Sequence, residues 1–141
     1  MRRQLNTNKM FPKKSLGQNF IRDKNFTLKL SSLIKSDINT NIFEIGPGMG
    51  ALTEYLVKKK FRKLYLIEKD KILCEQLKIR YEDNKNIYAL NNDALDYDYE
   101  TINNKKKSFI VGNLPFNISS QLLINWVTNY KWPPFYDKMI L

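Results

Sequence analysis

Asn113, Leu114, Pro115 and Phe116 set two hydrogen-bond acceptors and an aromatic ring within four residues, which is equipment for holding the exocyclic amino group of a planar base. The proline fixes its own φ and biases Leu114 toward an extended conformation. The Asn113 amide and the Leu114 carbonyl are then held in one orientation beside the Phe116 ring. These residues belong to GNLPFNIS, Gly112 to Ser119, directly after the apolar run Phe109, Ile110, Val111. A plainer reading of the same letters is a strand, a proline turn and a helix through Trp126, capped by Asn117, Ser119 or Ser120.

A second stretch, EIGPGMG from Glu44 to Gly50, offers a glycine loop. Gly46 and Gly48 let the backbone approach a ligand with no Cβ in the way. The letters also satisfy G-x-G-x-x-A through Gly46, Gly48 and Ala51, the dinucleotide fingerprint, so the loop alone does not separate NAD from S-adenosylmethionine. A purely structural tight turn is the plainer alternative. Glu68 lies 20 residues beyond Gly48, the spacing at which a carboxylate accepts from both ribose hydroxyls. Otherwise it is a surface acid in the mixed run Glu68, Lys69, Asp70. Asp93 is placed to accept from an adenine amino group with the Ala94 backbone alongside the ring, or else it caps a turn.

A sulfonium methyl group is already a strong electrophile, so the protein's task is to hold acceptor nitrogen, methyl carbon and sulfur in line. No acid or base is needed. Hydrogen bonds from an adenine amino group to the Asn113 side-chain oxygen and the Leu114 carbonyl favour a tetrahedral, more nucleophilic nitrogen. Phe116 stacks on a base drawn away from its neighbours.

The elements that must position these residues alternate regularly. Leu28, Leu30, Leu33 and Ile34 predict one apolar helical face, opened by Asp23 or Asn25. Asn41 to Ile45 is the first strand. Ala51, Leu52, Tyr55 and Leu56 mark a helix ending in Lys58, Lys59 and Lys60. Leu64 to Glu68, Asn86 to Leu90 and Phe109 to Val111 are further strands, with a helix over Ile72 to Tyr81 and another over Ser119 to Tyr130. Lys138 to Leu141 begins a fifth strand. This beat implies a parallel sheet with right-handed crossovers, whose ligands bind outside the carboxyl ends of the strands. Each of these motifs falls at such an end.

Composition narrows the chemistry. The chain has 141 residues, 43% of them hydrophobic and 13% aromatic, enough for a packed core. It has no histidine, which excludes histidine metal sites and Ser/His or Cys/His nucleophiles. No metal is expected. The single cysteine, Cys74, reads as a small buried hydrophobe in a helix. A formal charge of +10 favours a polyanionic partner, nucleic acid first, although biased base content in a genome also enriches lysine. Residues 1–14 read as a mobile basic arm without an acid, or simply a solvated tail. No run reaches a membrane span, so a soluble cytoplasmic protein is expected, although the Arg-bearing start is also compatible with an organelle presequence.

GQNFI (17–21), EIGPGMGALT (44–53), IEKD (67–70), NDA (92–94) and GNLPFNIS (112–119), in this order and at these separations, resemble the ribosomal RNA adenine dimethyltransferases of the bacterial KsgA type. The resemblance implies a Rossmann-like α/β fold, S-adenosylmethionine as cofactor, and dimethylation of two adjacent adenines near the 3′ end of small-subunit rRNA by a monomer. It also implies that Asn19 and Ile21 contact the cofactor from ahead of the first strand. Gly46 would touch it from the loop, Glu68 and Asp93 would hold ribose and adenine, and Asn113 would face cofactor and target base. Read without the family, Asn19 is a turn residue.

Two departures stand out. Phe116 replaces the usual tyrosine, which keeps stacking and loses a hydroxyl. The family runs to about twice this length, so residues 15–141 are expected to be a methyltransferase domain without its last strands and helical RNA-binding domain, and marginal on its own. The alternatives are an Erm-type large-subunit rRNA methyltransferase, a non-catalytic relative such as a mitochondrial transcription factor, and an NAD-dependent dehydrogenase, in which GNLPFN has no role.

Overall fold

The computed structural model of the protein describes residues 24–114, 118–128 and 134–141. Five strands, β1 (Asn41–Ile45), β2 (Lys63–Glu68), β3 (Ile87–Asn91), β4 (Ser108–Val111) and β5 (Lys138–Ile140), form one sheet in the order β3-β2-β1-β4-β5. Every pairing is parallel. The chain enters at β1, works outward through β2 and β3, and then returns to the other side of β1 as β4. The switch in direction therefore lies between β1 and β4, where open α/β sheets leave a crevice for ligands.

Helices α1 (Lys24–Leu33), α2 (Thr53–Leu56), α3 (Lys71–Arg80), α4 (Tyr99–Asn103) and α5 (Ser119–Thr128) complete the described elements. The central strands are apolar almost throughout because alternate residues feed two separate cores. Ile42, Leu64, Leu66, Phe109 and Val111 join Leu30, Ile34, Leu56 and Leu77 in an aliphatic layer. Phe43, Tyr65, Ile67 and Ile110 face the other side, where Tyr97, Tyr99, Leu122, Trp126 and Phe135 build an aromatic layer. Phe43 stacks on Tyr65 at 4.8 Å, Tyr99 stacks on Phe135 at 5.0 Å, and Tyr99 meets Trp126 edge-on at 6.0 Å.

Several expected elements differ in detail. The buried face of α1 is Thr27, Leu30 and Ser31, continued by Ile34, whereas Leu28 and Leu33 are exposed. Two small polar residues occupy half of an i, i+3, i+4, i+7 stripe, so counting apolar letters alone selects the wrong face. Asn25 lies inside the helix rather than capping it, and Asp23 lies outside the described residues. The helix expected across Ala51 to Lys60 shrinks to α2, because three-residue turns tighten both ends. Tyr55 N–H bonds Leu52 O at 2.9 Å and Lys59 N–H bonds Leu56 O at 2.9 Å. The third strand is shifted by one residue and takes in Asn91, which pairs in register with Glu68. Helix α4 was not expected, since five residues show no period. Asp98 caps it by accepting from the Thr101 N–H. Ser119 and Ser120 begin α5 from within, and Asn117 and Tyr130 lie outside the described residues.

Candidate functional site

The sheet order brings the strand tips together along one edge, with Asp93 beyond β3, Glu68 closing β2, Gly46 to Gly50 beyond β1 and Asn113 beyond β4. Backbone hydrogen bonds continue the sheet into these tips. The Asn92 N–H reaches Glu68 O at 3.2 Å, the Gly46 N–H reaches Ile67 O at 3.0 Å, and the Gly112 N–H reaches Ile140 O at 3.1 Å.

Gly112 decides how close β4 comes to β1. Its φ is +150°, and a Cβ on it would lie 2.6 Å from the Ile45 carbonyl oxygen, an immovable backbone atom. Only glycine lets the chain leave β4 against the start of the glycine loop. Asn113 emerges there half-buried, and the Leu114 side chain is buried in the aromatic layer, which anchors the peptide between them. Pro115 and Phe116, like Asn19, Ile21 and the arm at 1–14, lie outside the described residues.

The glycine loop is held from two sides. Gly46, Gly48 and Gly50 all have positive φ, at 61°, 59° and 86°. Glu68 is buried and accepts from the Gly48 N–H at 3.0 Å through one carboxylate oxygen and from the Asp70 N–H at 2.8 Å through the other. From the end of α3, Arg80 donates to the Met49 carbonyl at 2.7 Å. Glu68 is thus no ordinary surface acid. Burial pushes its carboxyl above the usual range, against the pull of the hydrogen bonds from Asp70 and Gly48. The Lys69 backbone N–H bonds the carboxylate as well, which leaves part of its lone-pair capacity for a hydroxyl donor. In the same run, Asp70 caps α3 by accepting from the Ile72 and Leu73 N–H groups, and Lys69 is exposed.

Asp93 does what its plainer reading required and also more. One oxygen accepts from the Leu95 N–H at 3.0 Å and the other meets Lys69 Nζ at 2.6 Å. Partial burial raises the Asp93 carboxyl, but the Lys69 and Leu95 hydrogen bonds prevail and hold it below the usual range. Ala94 is buried, and its carbonyl accepts from the Tyr99 hydroxyl at 2.9 Å.

Three residues at this edge escaped the sequence reading. Asn91 donates from its amide to the Glu68 and Lys69 carbonyls at 2.9 and 3.0 Å, clamping the end of β2. Arg80 is separated from the loop it braces by 31 positions, so no local pattern reveals it. Glu44 is the third. It is wholly buried, and its carboxyl is pushed up to about 8 by burial first, with the Thr53 hydroxyl lowering it and the charge of Glu68 raising it. Thr53 donates to it at 2.8 Å. The signal was present in NIFEI, where a lone acid interrupts an apolar strand.

Among the described residues no helix is long and apolar enough to cross a membrane, and no group of three or more His, Cys, Asp or Glu side chains could hold a metal ion.

Comparison with known proteins adds three results. The family model described as ribosomal RNA adenine dimethylase matches residues 10–141. The ribosomal RNA small subunit methyltransferase A of Bradyrhizobium diazoefficiens is 40% identical over 132 residues, covering 92% of this chain and 46% of the relative. That of Pelagibacter ubique is 42% identical over 130 residues, covering 92% and 48%. The chain therefore spans about half the length of the curated relatives it matches. Two solved structures share the Rossmann-like methyltransferase fold. The 23S rRNA methyltransferase ErmE aligns with a TM-score of 0.71 at 24% identity, over 86% of this chain and 47% of its own. A dimethyladenosine transferase from Plasmodium falciparum aligns with a TM-score of 0.68 at 24% identity, over 83% and 40%.

Proposed function

The chain belongs to the ribosomal RNA adenine dimethylase family, and from that premise we propose that it carries the catalytic half of a small-subunit rRNA adenine dimethyltransferase. It acts in the cytoplasm, as a monomer, on two adjacent adenines. The observation that carries this reading is the approach of β4 to β1 at Gly112, which delivers Asn113 beside the glycine loop. The same edge supplies a buried carboxylate that can accept from hydroxyl groups and a loop whose Gly46, Gly48 and Gly50 carry no Cβ atom, which fits a ribose-bearing cofactor.

In this reading Asn19 and Ile21 contact the cofactor, Gly46 and Gly48 lie against it, Glu68 accepts from its ribose, and Asp93 with Ala94 receives its adenine. When bound, S-adenosylmethionine supplies the methyl group as a sulfonium electrophile. The chain's own work is to orient. Asn113 and the Leu114 carbonyl accept the protons of the target amino group, Pro115 fixes their geometry and Phe116 stacks on the base. No histidine is required. Small-subunit specificity is favoured by the relatives at 40% and 42% identity, whereas ErmE at 24% supports the fold alone.

The test is Asn113→Ala in the full-length protein, assayed on purified small and large subunits lacking the modification. Methyl transfer to small subunits is expected to fall at least a hundredfold, with the affinity for S-adenosylmethionine nearly unchanged. Wild-type transfer by the variant, or transfer by the parent protein to large subunits only, would refute the proposal.

A further inference from the structure

The edge of the sheet opposite the candidate site is built from lysine. Two triplets, Lys58 to Lys60 and Lys105 to Lys107, precede β2 and β4 in the chain, and the structure packs both against the amino end of β1. The Lys60 carbonyl accepts from the Ser36 hydroxyl at 2.7 Å, and the Lys107 carbonyl accepts from the Asn41 N–H at 2.8 Å. Asp37 pairs with Lys107 at 3.0 Å, but the other five lysines make no ion pair with a described residue. The backbone beneath the second triplet is anchored further. Asn103 is buried and receives hydrogen bonds from the Asn41 amide at 3.2 Å and from the Ser108 hydroxyl, while its own amide donates to the Phe135 carbonyl at 2.8 Å.

From that anchor the chain turns through Asn104 and Lys105, both at positive φ, 48° and 57°. Asn104 is the left-handed C-cap of α4, a conformation asparagine takes readily, and Lys105 prolongs the turn at a cost of roughly 1–2 kcal/mol. The turn leaves Lys105 and Lys106 exposed. By contrast, Glu68, Asp70 and Asp93 stand at the carboxyl edge. A strand of five residues separates the two edges by about 17 Å.

We propose that the paired lysine triplets grip the phosphate backbone of a second RNA segment, remote from the adenines presented at the carboxyl edge. This rests on the rRNA reading above and adds to it a contact that supplies affinity without touching the chemistry. Ammonium groups on a fixed backbone suit phosphates, whose neutralisation releases counterions and makes binding fall steeply with salt. The substrate must therefore be large enough to reach both edges, as a ribosomal subunit is and a short hairpin is not.

The test replaces the four exposed lysines of the belt that make no ion pair with a described residue, in the full-length protein, as Lys58→Gln, Lys60→Gln, Lys105→Gln and Lys106→Gln, with a matching set to Arg. Binding to undermethylated small subunits is expected to weaken at least tenfold at 0.15 M salt, on the order of 0.9 per lost phosphate contact being removed from the salt slope. The Arg set should bind as the parent does. Methyl transfer to a short adenine hairpin, S-adenosylmethionine affinity and the thermal midpoint should not change. Parent-like subunit affinity and slope in the Gln set would overturn the proposal, as would weakened binding to anionic phospholipid vesicles with RNA binding intact. If the parent transfers no methyl group to either RNA, the proposed function has failed, and the salt slope still decides the belt.

Discussion

Tyr97 carries its hydroxyl into the aromatic layer without a hydrogen-bond partner among the described residues, and burial, then Tyr65 and Asp98, push its ionisation up to about 12. A buried polar atom left unpaired gains nothing from folding and loses its water. Tyr97→Phe should therefore stabilise the protein by about 1 kcal/mol, read as a higher urea midpoint at unchanged slope. The neighbouring Tyr99 is the control. Its hydroxyl bonds the Ala94 carbonyl, so Tyr99→Phe should destabilise by a similar amount and disturb the turn that carries Asp93.

Among elements, β4 and its exit set the tolerance of the whole carboxyl edge. Gly112→Ala forces a methyl group into the Ile45 carbonyl, which belongs to the central strand and has nowhere to go. A loss of about 3 kcal/mol or more is expected, seen as a lowered denaturation midpoint. Gly50→Ala takes a left-handed φ at a cost of about 1–2 kcal/mol and also crowds the Arg80 guanidinium at 2.9 Å, so it should displace that brace from the Met49 carbonyl while sparing the central strands. The strands were legible because their apolar runs end in glycine or acid, signals that reside within five or six residues. Helix α1 misled because Thr27 and Ser31 are small enough to pack while reading as polar. The Arg80 brace on the glycine loop and the Asn91 clamp on β2 were invisible for a different reason. Both act on partners more than twenty residues away in the chain, brought near only by the completed fold.

For the molecule as a whole, stability should peak on the acid side of neutrality. Asp37 has its carboxyl lowered to about 2, chiefly by the Lys107 hydrogen bond, and Asp93 and Asp98 are lowered as well. These groups bind fewer protons folded than unfolded, so their contribution is complete above about pH 4 and is lost as pH falls through the folded values. Glu44 has the opposite sign. The unfolded chain releases this proton near 4.5 while the folded protein keeps it to about 8, so stability declines as pH rises across that window, by up to about 1.4 kcal/mol per unit. Glu44→Gln can still accept from Thr53 and has no proton to lose. Its stability should fall less steeply from pH 5 to 8 than that of the parent, keeping only the decline that the raised Glu68 carboxyl contributes, as chemical denaturation at several pH values would show.

The Lys69–Asp93 pair sets the salt response of the adenine end of the site against that of any phosphate contact. Any ligand amino group that seeks Asp93 meets an oxygen already engaged by the Lys69 ammonium. It must share that oxygen or evict the cation. Added electrolyte weakens the incumbent pair and so eases the newcomer's entry, while the same ions loosen every grip on phosphate. Concentrated brine should thus leave the small cofactor better seated and the large substrate adrift.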